Sequence, residues 1–556
     1  LSSSSAASDV YKRQASWGRL KGIAMHHRFI RGVAAAALLL VAGAASAQDF
    51  STQRLSDEIR TISADDFQGR YPGTDGEKKT LDWLQAQYEA MGLEPGGRNG
   101  EWLQVIDLKR LTPQGAPTVV WTGPDGARHD LTPGTDVTLR AMNVRAKGSV
   151  ADAAVVFAGY GVYAPERGWD DYGDLDVRGK VVLVVAGEPD GDLFNGPYST
   201  TYQSGAYKAD EAKRRGALAV LTVVDADRAW QRETAGASRI RTLTPGAADL
   251  ELTGAVNGAT AQALGLDMGA LKPRLGTGDF RAFELPGVRL SAAAEEKVEI
   301  LRTHNLLARI TGTERPNEVI VYSAHWDHVG VNEHAAGDDK IFNGAWDNAS
   351  GTVGVVEMAR QLKAAPAPKR TIVFAHMAAE EMGLLGAYAY VADPIYPLET
   401  TVADINIDML PLSGPTRDVP IFGKGQNSLE DDLHALAQKE GRYVSDDGQP
   451  EQNFYYRSDH FPFARAGVPA LMPWHGMDWV EGGREAGLAA WKAKFGADYH
   501  RPSDEWSADW DLRSAVENLT LLYRLGLDLA NGDQWPSWKP TSEFGQVRER
   551  SAAARR

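Results

Sequence analysis

The 556-residue chain has no cysteine. Disulfides and thiolate metal sites are therefore excluded, and any bound metal must be held by histidine, aspartate or glutamate. Positive charge is in deficit: 59 Lys and Arg against 74 Asp and Glu leave a formal net charge of −15. That balance argues against general nucleic-acid binding, because nothing would offset phosphate repulsion. Long apolar runs are missing too. The stretch "GVAAAALLLVAGAA" falls short of the ~20 residues that a membrane span needs, so no span is expected in the mature chain. No repeat of fixed period is found. What remains, 43% hydrophobic and 24% charged residues, is a globular composition with room for two or three domains.

The same apolar stretch sits in "MHHRFIRGVAAAALLLVAGAASAQDF", where a basic start, an apolar middle and Ala45-Ser46-Ala47 read as a secretory signal at 25–47. A permanent N-terminal anchor is the competing reading. The mature protein would begin at Gln48 and be exported, periplasmic or secreted. Residues 1–24, beginning "LSSSSAASDVYKRQ", fit neither a signal nor a fold and read as non-native read-through before Met25.

Residues 52–64 and 75–92 carry helical spacing around the turn-rich "GRYPGTDGE". From 146 to 297 short β-rich runs such as "GKVVLVVAGEP" and "LAVLTVVD" predict a separate, smaller insert. From 298 to 535 apolar runs alternate with amphipathic stretches: "NEVIVYSAHWDH", "SGTVGVVEMARQL", "RTIVFAHMAAEE", "TVADINIDML". Such alternation predicts an α/β fold, a mostly parallel mixed sheet sandwiched by helices. Residues 48–145 are expected to supply the N-terminal part of that unit, and 536–556 to form a polar tail.

Ligands in open α/β sheets bind at the carboxyl ends of the strands. Polar residues cluster at five such places or in nearby loops: His325-Trp326-Asp327-His328, Asp347, Glu380-Glu381, Asp408 and His500. Each has an ordinary reading when taken singly. His325 suits a strand cap, Asp347 a helix cap, Glu380-Glu381 a solvated first helical turn and His500 the surface. Together, two histidines and three or four carboxylates can build two tetrahedral zinc sites sharing a bridging carboxylate. An adjacent glutamate pair can then supply one ligand and one general base.

"AHWDH", "GAWDNASG", "AAEEMGLLGA", "NIDM" and "YHRPSDE", in this order, resemble the zinc aminopeptidases of metallopeptidase family twenty-eight. That family includes bacterial leucyl aminopeptidases, glutamate carboxypeptidases and glutaminyl cyclases. The resemblance implies two zinc ions per chain: His325 and Asp408 on one, Glu381 and His500 on the other, with Asp347 bridging. It further implies Glu380 as general base, Asp327 as partner of His325, and a cis Asp347–Asn348 bond. Residues 146–297 resemble a protease-associated domain, notably in "DYGDLDVRGKVVLVVAGEP". The implied reaction is removal of N-terminal residues from peptides with a free N-terminus. Tyr499, Tyr455 and Tyr456 are candidate oxyanion donors, and Asp459 and His460 candidate supports. A dipeptidase or carboxypeptidase would need an arginine for the substrate's carboxylate, and Arg457 and Arg465 are candidates. A glutaminyl cyclase and a non-catalytic binding protein are the remaining alternatives.

Overall fold

Uninterrupted runs such as "EVIVYSA" and "TIVFAHM" can be buried only in strands covered on both faces. The computed structural model describes residues 49–141, 146–237, 239–242 and 250–555. In it these runs form the strands Arg315–His325 and Arg370–Met377, parallel neighbours with His325 opposite Met377. Thr401–Asn406 pairs parallel on the other side of Arg315–His325, and Ala470–Leu471 lies parallel beyond it. Phe283–Ile310 closes the opposite flank antiparallel and carries Leu103–Pro113 in turn. The sheet is thus mixed and parallel at its centre, the α/β class expected. The expected leader at 25–47 and read-through at 1–24 lie outside the described residues.

Successive side chains on a strand face opposite ways, and Tyr322 and Ser323 show what covers each face. Tyr322 donates to the carbonyl of Leu522 at 2.7 Å, within the helix Arg513–Asn531. That amphipathic helix packs beside Gly351–Ala364 and Thr52–Ile62. Ser323 turns the other way, to Asp404 at 2.8 Å and Asn406 at 3.1 Å. Asn406 then meets Ser458 at 2.6 Å, just before the helix His460–Arg465.

A second sheet holds Lys147–Phe157, Val181–Val185, Ala219–Val224 and Leu252–Asn257 in parallel order. It has a core of its own, including Phe157, Leu183 and Leu221. One strand serves both sheets. Phe283–Ile310 pairs through its first half with Lys147–Phe157 and through its second half with Leu103–Pro113. The smaller unit is wider than the 146–297 expected. Thr118–Thr122 and Val137–Arg140 pair into it, and their apolar residues Val119, Trp121, Val137 and Leu139 are buried in its core.

The expected polar tail at 536–556 is also revised, because its few apolar residues find a surface to bury. Phe544 is buried against Trp538, Tyr455 and Phe461, at ring distances of 5.2, 6.2 and 6.3 Å. Arg548 donates to the carbonyls of Leu398 at 2.9 Å and Thr401 at 2.8 Å.

Under the central sheet His376 is fully buried, with its Nε2 2.6 Å from the Tyr88 hydroxyl. Burial pulls its pKa from 6.5 down to about 3. Between those values the unfolded chain takes a proton that the folded chain refuses. Stability is therefore whole above 6.5 and falls as the pH drops towards 3, at most about 1.4 kcal/mol per pH unit for one such group. Glutamine keeps an acceptor for Tyr88 but does not titrate. Urea unfolding of His376→Gln should thus lose stability less steeply than wild type between pH 6.5 and 5, and an unchanged slope contradicts this account.

Candidate metal centre

The parallel strands end together, and the chemistry starts where they stop. His325 is the last residue of its strand, Glu380 and Glu381 follow Met377, and Asp408 follows Asn406. The helix after the glutamate pair begins only at Leu385. Glu380 and Glu381 are therefore in a half-buried turn that precedes the helix and not in a solvated first helical turn.

His325 Nε2 lies 3.3 Å from Asp347 Oδ1, 3.3 Å from Asp408 Oδ1 and 3.9 Å from Glu380 Oε2. His500 Nε2 lies 3.1 Å from Asp347 Oδ2 and 3.0 Å from Glu381 Oε2. The two oxygens of Asp347 thus face two different histidines. His328, which had no assigned role from sequence, brings Nδ1 to 2.6 Å from Glu381 Oε1. Ligand atoms of His325, Asp347 and Asp408 lie within 4.8 Å of one another, as do those of His328, Asp347 and Glu381.

The donor set fits metal cations. Among the described residues no lysine or arginine pairs with Asp347, Glu380, Glu381 or Asp408. At about 4 Å and an effective dielectric of about 20, two bare carboxylates repel by roughly 4 kcal/mol. A dication between them reverses the sign. Glu381 Oε1 and both ring nitrogens of His328 also lack an aligned hydrogen bond despite complete or near-complete burial. All the donors are oxygen or imidazole nitrogen, a set that suits zinc.

The surrounding carboxylates favour the protonated forms of His325 and His500. Burial opposes charge on His325, yet Glu380 and Asp408 hold its pKa well above 6.5. Burial likewise opposes His500, but Asp347 and Glu381 raise it to about 10. Asp347 moves the other way: burial would raise it, and the hydrogen bonds from His325 and His500 hold it well below 3.8. Glu380 is raised well above 4.5, by burial first and by the neighbouring Glu381 and Asp408 charges after it. The two adjacent glutamates differ in kind, since Glu381 is lowered to about 2; burial and Asp347 would raise it, but His328 and His500 prevail.

The loops are pinned from behind. Asp504, buried, accepts from the amides of Trp346 at 2.8 Å and Asp347 at 3.0 Å. Arg70, fully buried, donates to the carbonyls of Trp326 at 2.9 Å, Asn343 at 2.5 Å and Gly344 at 2.7 Å. Gly344 has a φ of +56°, and a Cβ there would lie 2.4 Å from the His328 ring. The Asp347–Asn348 peptide bond is cis. Asn348 Oδ1 accepts from Gly351 N at 2.8 Å and Met409 N at 2.9 Å, tying the Asp347 loop to the Asp408 loop.

Residues 305–523, which hold all of these candidate ligands, match the model of peptidase family M28. The chain is 26% identical over 356 residues to the probable lipoprotein aminopeptidase LpqL of Mycobacterium tuberculosis, across 60% of this chain and 59% of that protein. It is 30% identical over 136 residues to the mouse aminopeptidase NAALADL1, across 23% of this chain and 17% of that protein. The chain therefore spans less than two thirds of the length of either relative. Among solved structures, an aminopeptidase from Aneurinibacillus sp. strain AM-1 aligns with a TM-score of 0.45 and 18% identity, over 87% of this chain and 95% of that one. A zinc aminopeptidase from Bacillus subtilis aligns with a TM-score of 0.40 and 19% identity, over 87% and 96%.

Within this segment some expected contacts differ. His325 Nδ1 meets the backbone carbonyl of Asp327 at 3.1 Å, while the Asp327 carboxylate stands 3.9 Å away. That carboxylate instead accepts from the amides of Glu380 at 3.0 Å and Glu381 at 3.4 Å, so it positions the glutamate pair. Tyr499 lies at the centre, its ring stacked 3.8 Å from His500. Tyr456 does not: its hydroxyl donates to the Ser199 carbonyl of the smaller unit at 3.1 Å. Tyr455 Oη has no hydrogen-bond partner among the described residues. Asp459 is fully buried with both carboxylate oxygens unpartnered, and burial holds its pKa well above 3.8; His460 beside it is lowered to about 3, also by burial.

Sequence reading assigned nothing to Arg70, His328 or Asp504, although all three lie in or beside the quoted motifs. Asp504→Ala would orphan two buried amides, at about 1–3 kcal/mol each, and free the Asp347 loop. It should lower both the unfolding midpoint and the zinc content after dialysis, and Asp504→Asn, which keeps one acceptor, should fall between. Full metal retention in the alanine variant contradicts the pinning role.

Proposed function

We propose that this protein is an exported aminopeptidase with two zinc ions, which removes N-terminal residues from peptides with a free N-terminus. The observation that carries the reading is the pair of donor groups meeting at Asp347, with Glu380 beside them on no histidine of its own. In this reading His325 and Asp408 would hold one zinc and Glu381 and His500 the other, with Asp347 offering one carboxylate oxygen to each group. When bound, zinc supplies Lewis acidity towards the scissile carbonyl and towards water.

The chain's own residues do the rest. Glu380 Oε2 takes the proton of the attacking water and returns it to the leaving amine. Its burial beside Glu381 and Asp408 favours holding that proton between the two steps. The Asp327 carboxylate keeps the pair in register through their amides. Tyr499 is kept protonated, first by burial and then by the Asp347 and Glu381 charges, so its hydroxyl can donate to the developing oxyanion.

Export rests on the leader read at 25–47 and accords with the lipoprotein relative. No described helix is long and apolar enough to cross a membrane. We assign the smaller unit to a protease-associated insert that borders the substrate cleft, on the contact of Tyr456 with Ser199.

A panel of matched free and N-acetylated peptides tests the reading: the free forms should be hydrolysed and the acetylated ones spared. Equal cleavage of both excludes an aminopeptidase. Glu380→Gln should keep both metals and lose turnover by at least 10²-fold, the low end for a general base. Glu381→Gln should lose metal. Identical behaviour of the two variants contradicts the division of labour.

A further inference from the structure

Two arginines flank the segment beside the centre, and their surroundings differ. Arg465 is spent: it pairs with Asp210 and lies over the Tyr388 ring. Arg457 is exposed and makes no ion pair among the described residues. It is nevertheless held in place. Its Cζ sits 5.1 Å over the Phe454 ring and 5.9 Å from the Tyr499 ring. Nη1 donates to the Gln452 carbonyl at 3.3 Å and Nη2 to Tyr499 Oη at 3.2 Å. Tyr499 stacks on His500 at 3.8 Å, and His500 Nε2 reaches both Asp347 and Glu381. One aromatic pair therefore separates a fixed guanidinium from the reacting centre.

A guanidinium has five N–H donors, and Arg457 uses two. The rest lie on an exposed side chain, one aromatic pair away from the carboxylates of Asp347 and Glu381, in a chain of net charge −15. No carboxylate among the described residues pairs with this cation, which leaves its fork open to an anion from outside. A peptide substrate carries one anion that fits a planar fork, a carboxylate. We infer that Arg457 receives a substrate carboxylate close to the scissile bond, and so selects for dipeptides or for peptides with an acidic residue just downstream. The inference rests on the peptidase reading and adds the substrate class. The two sources of carboxylate, a C-terminus and a side chain, share the same recognition chemistry.

The zinc-loaded protein and its Arg457→Gln and Arg457→Lys variants would be assayed on Leu-Gly, Leu-Gly amide, Leu-Glu amide and Leu-Gln amide. Wild type should prefer the member of at least one pair that carries the carboxylate, Leu-Gly or Leu-Glu amide, by ten-fold or more in kcat/KM. A preference in the first pair alone identifies the C-terminus as the source, and in the second alone the side chain. Arg457→Gln should abolish the preference mainly through KM, Arg457→Lys should restore part of it, and neither should shift the unfolding midpoint. No preference in wild type, or an equal loss on all four substrates, overturns the inference; the equal loss would mean that Arg457 only supports Tyr499. Calorimetric titration of Leu-Gly, Leu-Glu amide and their two neutral partners into the Glu380→Gln protein, with and without Arg457→Gln, reads recognition apart from turnover. Equal affinity within both pairs refutes the role of Arg457 even where no peptide is hydrolysed, whereas discrimination without hydrolysis in wild type leaves this inference standing and refutes the peptidase reading.

Discussion

Four carboxylates and two or three imidazoles meet in a buried space where the described protein offers no lysine or arginine to neutralise them. That unbalanced charge is the constraint around which the structure is arranged. A set of like charges persists in a low-dielectric site only if cations join it, and oxygen and imidazole donors select metal cations. The excess of negative charge shows in the titration of its members: His500 is raised to about 10 by Asp347 and Glu381, and Asp347 is held well below its ordinary range. The same demand explains the rigid backing. Arg70 and Asp504 are buried ionised or ionisable groups whose hydrogen bonds go mainly to backbone, so they hold loops in place without pairing directly with the cluster.

The parallel sheet makes the convergence possible. Strands that end in register deliver His325, the glutamate pair and Asp408 to one edge, although they are far apart in sequence. Tyr499 and His500 come from the segment after the helix Gly483–Asp498, and His500 adopts a φ of +54° as it enters the centre. The smaller unit is fastened beside this edge by several polar contacts. Glu543 of the C-terminal segment joins Arg167 and the Thr201 amide, each at 3.2 Å, and Tyr456 joins Ser199. Glu543 and Tyr456 thus tie the two units together.

The fold class and the convergent residues were legible because an acidic residue just after an apolar run has no inexpensive explanation except a partner. Asp408 and the glutamate pair fit that pattern, whereas Asp347, in the loop "NGAWDNASG", reads singly as a helix cap and stands out only through the family motif. The partner of Asp327 was not legible: the family resemblance implies His325, whereas the backbone turn aims the carboxylate at the amides of Glu380 and Glu381. Arg70 reaches Trp326 across 256 residues, a contact that no local pattern encodes. Tyr456 was misdirected for a related reason, since its partner Ser199 belongs to the other unit. The edges of the smaller unit were misplaced because Thr118–Thr122 and Val137–Arg140 are short strands, and only their pairing shows which core they serve.

The most direct test of the account is the metal content of the purified chain together with its location. Elemental analysis should give two zinc ions per chain. Anomalous scattering at the zinc edge should place them on either side of Asp347, one beside His325 and Asp408 and the other beside Glu381 and His500. A single ion, or two ions that do not share Asp347, would contradict it.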